Sequence, residues 1–85
     1  MKLPVIKSLV HFIKDHDEDY IHETLEVLEH LAGASGLKDH ELEVIGELIS
    51  NMAGSLEVQK EIKDGTSEKE ALNGFMKRVM GSIDK

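Results

Sequence analysis

The stretch from residues 39 to 64 is the feature that most constrains the fold of this chain. It contains a seam of apolar residues at steps of three and four, namely Leu42, Ile45, Ile49, Met52 and Leu56. Such spacing is typical of a helix that lies along a neighbouring helix. Val44, Val58 and Ile62 add apolar side chains on much of the remaining circumference. We therefore predict a long central helix with more than one neighbour, because each uncovered apolar side would face water.

The remaining pattern predicts an all-α fold, a compact bundle of four helices in a single domain over residues 1–85. No segment alternates apolar and polar residues with period two, so no strand is expected. Pro4 suits a first helical turn, and Gly33 and Gly65 suit helix ends. The helices are expected at about residues 4–14, 17–32, 39–64 and 67–83.

Capping side chains are predicted at the N-termini of the last three helices. Asp17 and Asp39 are placed to accept hydrogen bonds from first-turn N–H groups. Ser67 and Glu70 have the spacing of a capping box, in which each side chain binds the other residue's N–H group.

Small residues form rows on the last two predicted helices. Gly46, Ser50 and Gly54 are spaced i, i+4, i+8, although each glycine costs ~1 kcal/mol against alanine in a helix. A row of small side chains lets a neighbouring helix approach closely, so we predict a close helix crossing there and expect leucine at either glycine to lower the melting temperature. Gly74 and Gly81 predict either a shallow notch for a second chain or a frayed C-terminal helix.

The charge and length of the chain limit its partners. The net charge is −7, and residues 15–31 contain seven acidic residues and no Lys or Arg. Phosphate backbones and anionic lipids attract basic proteins, so neither nucleic acid nor a membrane is an expected partner. No apolar stretch suits a signal peptide or a membrane span, which makes the cytoplasm the expected location. A core built from 85 residues is small, which favours association into a homodimer.

The acidic stretch from 15 to 26 contains one candidate calcium site. Asp15, Asp17, Asp19 and Glu26 occupy the first, third, fifth and twelfth places of an EF-hand-like loop. The sixth place is Tyr20, where calcium loops need glycine for a sharp turn. An acidic helix N-terminus explains the same residues through the helix dipole, so we expect no firm calcium site.

A second metal hypothesis rests on His22, Glu26 and His30, which are spaced i, i+4, i+8. Imidazole and carboxylate groups suit zinc, but strong structural sites take ligands from several elements. The chain has no cysteine and no arrangement of serine with a base, so neither a catalytic nucleophile nor a cofactor is expected. We predict a protein that is not an enzyme.

From "MKLPVIK" at the start through "LKDHELEVIGELISNMAGSLEVQKEIKDGTSEKEALNGFMKRVMGSID", the chain resembles a family of short, acidic, all-helical bacterial proteins of unknown function. The resemblance implies a role accessory to thiol-redox proteins. Without cysteine the chain cannot itself exchange dithiols. The leading hypothesis is a non-enzymatic helical interaction or structural module, which binds itself and an unidentified protein through an acidic face and a groove of small residues. The alternative is a small metal-binding protein.

Overall fold

Four α-helices make up the fold in a computed structural model, which describes the backbone of residues 3–83 and the side chains through residue 79. The predicted all-α bundle with a long third helix is confirmed, and each helix boundary lies within two residues of its expected position. The described residues include no strand. The helices are α1 (Leu3–Asp15), α2 (Asp19–Ala32), α3 (Asp39–Lys63) and α4 (Glu68–Ile83).

Helix α3 is the centre of the bundle, since α1, α2 and α4 all pack against it. Helix α4 also packs against α1. The main core lies where α1, α3 and α4 meet. From α3 it includes only Val58 and the half-buried Ile62. Both residues belong to the C-terminal half of α3, so that half holds the core. The buried members of this core are Ile6, Val10, Val58, Ala71, Leu72 and Phe75.

Helix α1 lies beside the C-terminal half of α3 and runs in the same direction. Near its start, the Ile6 Cδ1 atom would lie 3.5 Å from a Cβ atom placed on Gly54. Near its end, His11 and Lys14 form ion pairs with Glu68, the first residue of α4. Because α4 starts just after α3 ends, these contacts fix the direction of α1.

The Glu68 carboxylate joins α1 to α4. Hydrogen bonds from Lys14 and from His11, which lies 2.9 Å away, lower the pKa of Glu68 from 4.5 to about 2. Hydrogen bonds to an ionised carboxylate favour its charged form. The ionised Glu68 carboxylate therefore contributes its full stabilisation above about pH 4.5, and this contribution disappears as the pH falls from there towards 2.

We expect Glu68→Gln to lower the melting temperature near neutral pH, because the neutral amide cannot form the ion pair with Lys14 and makes weaker hydrogen bonds than a carboxylate. The difference from the wild type should shrink as the pH falls from 4.5 to 2, where the wild-type carboxylate becomes protonated. Circular dichroism melts across this pH range measure the effect. Glu70→Gln is the matched control, since it removes the same charge from the same helical turn. An unchanged melting temperature for Glu68→Gln near neutral pH would contradict the assignment.

Two predicted helix caps were wrong in detail. Helix α2 begins at Asp19 with Glu18 at the N-cap position, while the Asp17 carboxylate accepts a hydrogen bond from the Asp19 N–H group (3.1 Å). Helix α3 has Lys38 rather than Asp39 at its N-cap position, and the Lys38 N–H group donates to the Glu41 carboxylate (2.9 Å). The Asp17 and Glu41 carboxylates therefore both bind an N–H group where a helix begins, which is the end of the helix dipole that favours negative charge.

Local hydrogen bonds set the start of α4 and the end of α3, two other helix ends predicted from the sequence. The Ser67 hydroxyl accepts a hydrogen bond from the Glu70 N–H group (3.2 Å), which is one half of the predicted capping box. Helix α3 ends just before Gly65, whose φ of 110° favours glycine. The Gly65 and Thr66 N–H groups bond back to the carbonyls of Ile62 and Glu61, the hydrogen-bond pattern of a Schellman motif.

The row of small residues on α3 does not act as one contact surface. A Cβ atom on Gly54 would lie 2.7 Å from the Phe75 Cζ atom, so α4 approaches α3 closely there. A Cβ atom on Gly46 would have no neighbouring atom within 4 Å, and Ser50 is exposed. Among the described residues, the predicted close crossing is therefore confined to Gly54. Leucine at Gly46 is no longer expected to lower the melting temperature by separating helices.

The second pair of glycines lies on α4. Gly74 is half-buried, and a Cβ atom there would lie 3.7 Å from the Arg78 Nη1 atom. Gly81 lies outside the residues whose surroundings the structure describes. The notch for a second chain at Gly74 and Gly81 stays a prediction.

Candidate docking groove

Large apolar side chains are exposed at seven positions in the part of the chain whose side chains are described. Val27 and Val44 are the most exposed aliphatic residues, at 60 % and 59 %. Single exposed apolar residues are common on protein surfaces, but a contiguous group marks a binding surface. The arrangement of these residues therefore matters more than their number. They are Val5, Phe12, Tyr20, Val27, Leu31, Val44 and Leu48.

One strip along α3 is buried at its C-terminal end and exposed at its N-terminal end. Its positions are separated by four, three, four and three residues, so they lie on one side of the helix. Asn51, Ser55 and Val58 are buried, whereas Leu48 and Val44 are exposed. Helices α1 and α4 cover the first group, as the position of the core shows. We call Val44, Leu48, Asn51, Ser55 and Val58 the α3 strip.

Helix α2 carries a second exposed apolar row. Ile21 is buried and Leu28 is half-buried, and both lie on the side of α2 that packs against α3. Tyr20, Val27 and Leu31 are separated by seven and four residues and lie on average about 100° around the helix from that side. The row therefore runs the length of α2 beside its contact with α3.

The row on α2 and the α3 strip lie on the same side of the α2–α3 hairpin. Viewed from the N-terminus of α2, its row lies about a quarter turn counterclockwise from the α3-facing side. Helix α3 runs towards the viewer, and its strip lies about a quarter turn clockwise from its own α2-facing seam. Both directions point to the same side of the hairpin. Helix α1 occupies this side over the C-terminal half of α3, and the other half stays uncovered.

Helix α1 closes the arrangement with a third wall. The Phe12 ring stacks on His16, with ring centroids 4.2 Å apart, and contacts the Tyr20 ring edge-on at 5.8 Å. Val5 lies two turns before Phe12 on the same side of α1. The seven exposed apolar residues thus lie along one side of the α2–α3 hairpin, with α3 as the floor and α1 as a further wall beside the C-terminal half of α3 only. We call this surface the apolar groove.

The overall shape agrees with an uncovered groove. The chain measures 43 × 35 × 17 Å, and its radius of gyration is 13.8 Å against about 12 Å for a typical domain of this length. Its accessible surface is 5902 Å², whereas a monomer of this mass typically exposes about 5,000 Å². The flat bundle therefore exposes more surface than its size requires.

Comparison with protein families gives a match along nearly the whole chain. The model of a family of unknown function, DUF6952, matches residues 1–84. The chain belongs to the DUF6952 family. No curated protein and no solved structure matches the sequence. The predicted membership of a family of unknown function is thereby confirmed, and function has to be argued from the site itself.

The apolar groove of this DUF6952 protein has an acidic border. Helix α2 contains no Lys or Arg, and α3 has none before Lys60. Glu23 and Glu41 are exposed near the apolar row of α2 and the start of α3. The predicted acidic surface on α2 therefore adjoins an apolar surface that periodicity alone did not identify.

Polar side chains of α3 are buried where α1 and α4 cover this helix, next to the open part of the groove floor. Asn51 donates a hydrogen bond from Nδ2 to the Glu47 carbonyl (2.8 Å), and the Ser55 hydroxyl donates to the Met52 carbonyl (2.7 Å). The Gln59 Oε1 atom is buried and has no hydrogen-bond partner within the described part of the chain. Leu48 and Val44, farther along the α3 strip, provide the apolar part of the floor.

The residues of the two metal hypotheses lie apart. Among the described residues of this DUF6952 protein, no three His, Asp or Glu side chains are grouped so that they could hold an ion. His22 lies 3.6 Å from Glu18, whereas Glu26 and His30 are exposed farther along α2. A straight helix spreads residues at i, i+4 and i+8 over about 12 Å, which is too far for one ion. Asp15 ends α1, and Asp17 and Asp19 bond to each other across the turn.

Two clefts lie outside the groove. One, of about 350 Å³, lies on the other side of the α2–α3 pair, and Lys63 forms an ion pair with Glu18 (3.2 Å) at its edge. The other, of about 330 Å³, lies between α1 and α4 beside Glu68. Charged residues of both signs border each cleft, and the carboxylates of Glu18 and Glu68 are already paired with lysines.

Within residues 3–83, no helix is long and apolar enough to cross a lipid bilayer.

Proposed function

We propose that this DUF6952 protein is a non-enzymatic interaction module whose binding surface is the apolar groove. The observation that carries this proposal is that the exposed large apolar side chains lie along one side of the α2–α3 hairpin, where the Phe12 ring of α1 contacts Tyr20 of α2. Contiguous apolar surface with a polar border is typical of protein–protein binding sites. An exposed apolar strip along helices suits the apolar face of an amphipathic helix as the bound element.

The acidic border supports a protein partner over nucleic acid. Phosphate groups would meet Glu23 and Glu41 beside the groove, with no Lys or Arg on α2 to neutralise them. The thiol-redox association implied by the sequence resemblance would make a redox enzyme one such partner. The chain would then act by docking, because it has no cysteine to oxidise.

A photo-crosslinking amino acid at Leu48 tests this proposal in cells. Leu48 lies in the groove floor, so we expect a heavier covalent adduct whatever protein occupies the groove. Gly46 is the matched control because it is exposed on the same helix and points away from the groove, and a Cβ atom placed on it would have no neighbouring atom within 4 Å.

The two positions differ by two residues, which turns the side chain through about 200°. Adducts from position 48 with few from position 46 would support the groove as the binding surface. No adduct from position 48, or equal adducts from both positions, would contradict it. Denaturing electrophoresis followed by mass spectrometry measures the adducts and identifies the captured chain.

A further inference from the structure

We infer that the occupant of the apolar groove is a second copy of this chain, docked so that the two α2–α3 hairpins cover each other. This inference rests on the proposed function and names its partner. In a twofold dimer the same patch of each copy forms the interface, so that patch must be complementary to itself. Val27, Leu31, Val44 and Leu48 form an aliphatic group on the uncovered half of the hairpin, and aliphatic groups have no donor, acceptor or charge that needs a different partner.

The surface area fits a dimer of this kind. The chain exposes roughly 900 Å² more than a typical monomer of its mass. A stable protein–protein interface buries about 800 Å² on each partner. An interface of that size would therefore bring the exposed surface of each copy close to the ordinary value for its mass.

The small core gives a second reason for self-association. In the described part of the chain, eight apolar side chains are buried, and only one of them, Ile21, belongs to α2. The α2–α3 hairpin beyond Ile21 contains half-buried leucines and isoleucines with no third layer above them. Domains of this size are commonly stabilised by association. A second copy would supply the missing layer over the half of the hairpin that lies beyond the start of α1.

The acidic border distinguishes a second copy from a basic helix of another protein. Two copies bring Glu23 and Glu41 of each chain towards acidic residues of the other, and salt screens this repulsion without weakening apolar contact. The self-association constant should therefore rise with salt concentration. A basic amphipathic helix would bind by charge attraction, and its affinity should fall with salt.

Sedimentation velocity of the full chain tests the inference over low to high micromolar concentrations. We expect a monomer–dimer equilibrium that shifts towards dimer when sodium chloride is raised. The variant Val27→Gln/Val44→Gln keeps the charge and the helix propensity, and it should weaken the dimer at least about tenfold. Ser50→Gln is the matched control, since Ser50 is exposed on the side of α3 away from the groove.

The second-copy inference would be overturned by a chain that stays monomeric at every concentration and salt. It would also be overturned by a dimer that survives Val27→Gln/Val44→Gln and is lost in Gly74→Leu, which would place the interface on α4. Circular dichroism checks that each variant keeps its helices, and Val27→Ala/Val44→Ala replaces the glutamine pair if that pair does not fold. A monomeric chain that still forms adducts at position 48 in cells would overturn this inference alone, whereas loss of those adducts would contradict the proposed function.

Discussion

Replacing Gly54 with alanine is expected to lower the melting temperature, whereas the same replacement at Gly46 is expected to raise it. At Gly54 the new methyl group would lie 2.7 Å from Phe75 Cζ, closer than real Cβ atoms approach, and 3.1 Å from Phe75 Cε2, which is also tighter than most real contacts. Phe75 is only 3 % exposed, so its ring has no open space to move into. Overpacking of this kind costs about 1–3 kcal/mol.

The expected changes in melting temperature follow from two opposing contributions to the free energy of unfolding. Alanine gains about 1 kcal/mol over glycine from helix propensity at both positions. At Gly46, where no atom lies within 4 Å, that gain stands alone and should raise the melting temperature by roughly 4 °C or more. At Gly54 the overpacking should exceed the gain by about 1 kcal/mol, which lowers the melting temperature by roughly 4–8 °C.

A double-mutant cycle identifies the cause of the Gly54 effect. Phe75→Leu removes the ring atoms that the new methyl group would meet, so Gly54→Ala should cost much less in that background. Thermal or urea unfolding of the four proteins measures the coupling. Equal costs of Gly54→Ala in both backgrounds would contradict the close approach of α4 to α3 at this position.

Phe75→Ala and Phe12→Ala are expected to separate the fold from the docking surface. Phe75 packs in the core with Val58 and Leu72, and its loss should cost about 3–5 kcal/mol, much of the stability of so small a domain. Phe12 is 38 % exposed in the groove wall, and it contacts the His16 and Tyr20 rings. Its loss should cost the monomer about 1–2 kcal/mol, since little buried surface disappears.

The two phenylalanine variants should also differ in association. Phe12→Ala should keep the helical circular dichroism signal and weaken binding at the groove, whereas Phe75→Ala should lose helical signal at moderate temperature. Urea unfolding at low protein concentration gives the stability of the monomer, and sedimentation velocity gives the association. If Phe12→Ala is as unstable as Phe75→Ala, then Phe12 belongs to the core and the groove wall is misassigned.

Local sequence signals predicted the four helices well. Apolar spacing, Pro4 and Gly65 determine local structure through neighbouring residues. They can therefore be interpreted from the sequence without knowing how the helices pack. The capping predictions at Asp17 and Asp39 each missed by one position because several acidic residues near each helix start can bind the N–H groups there.

The groove depends on packing that periodicity cannot supply. Val44 and Val58 lie on the same side of α3, and the sequence predicted neighbours for both. Only Val58 is covered, because α1 and α4 lie beside the C-terminal half of α3. The close crossing that was predicted along Gly46, Ser50 and Gly54 is confined to Gly54 for the same reason. Spacing shows which residues share a side of a helix, but it does not show where a neighbouring helix ends. The spacing of Tyr20, Val27 and Leu31 is the one sequence signal that could have pointed to a second apolar surface on α2, although no such surface was predicted from it.

Hydroxyl-radical footprinting in intact cells, compared with the dilute purified chain, tests the central claim most directly. Tyr20 and Leu48 should be labelled strongly in the dilute chain and much less in cells, because an occupant covers the apolar groove there. His22, exposed on α2 away from the groove, should be labelled equally in both and serves as the internal control. Equal labelling of Tyr20 and Leu48 in cells and in dilute solution would show that nothing covers the groove and would contradict its role as a docking surface.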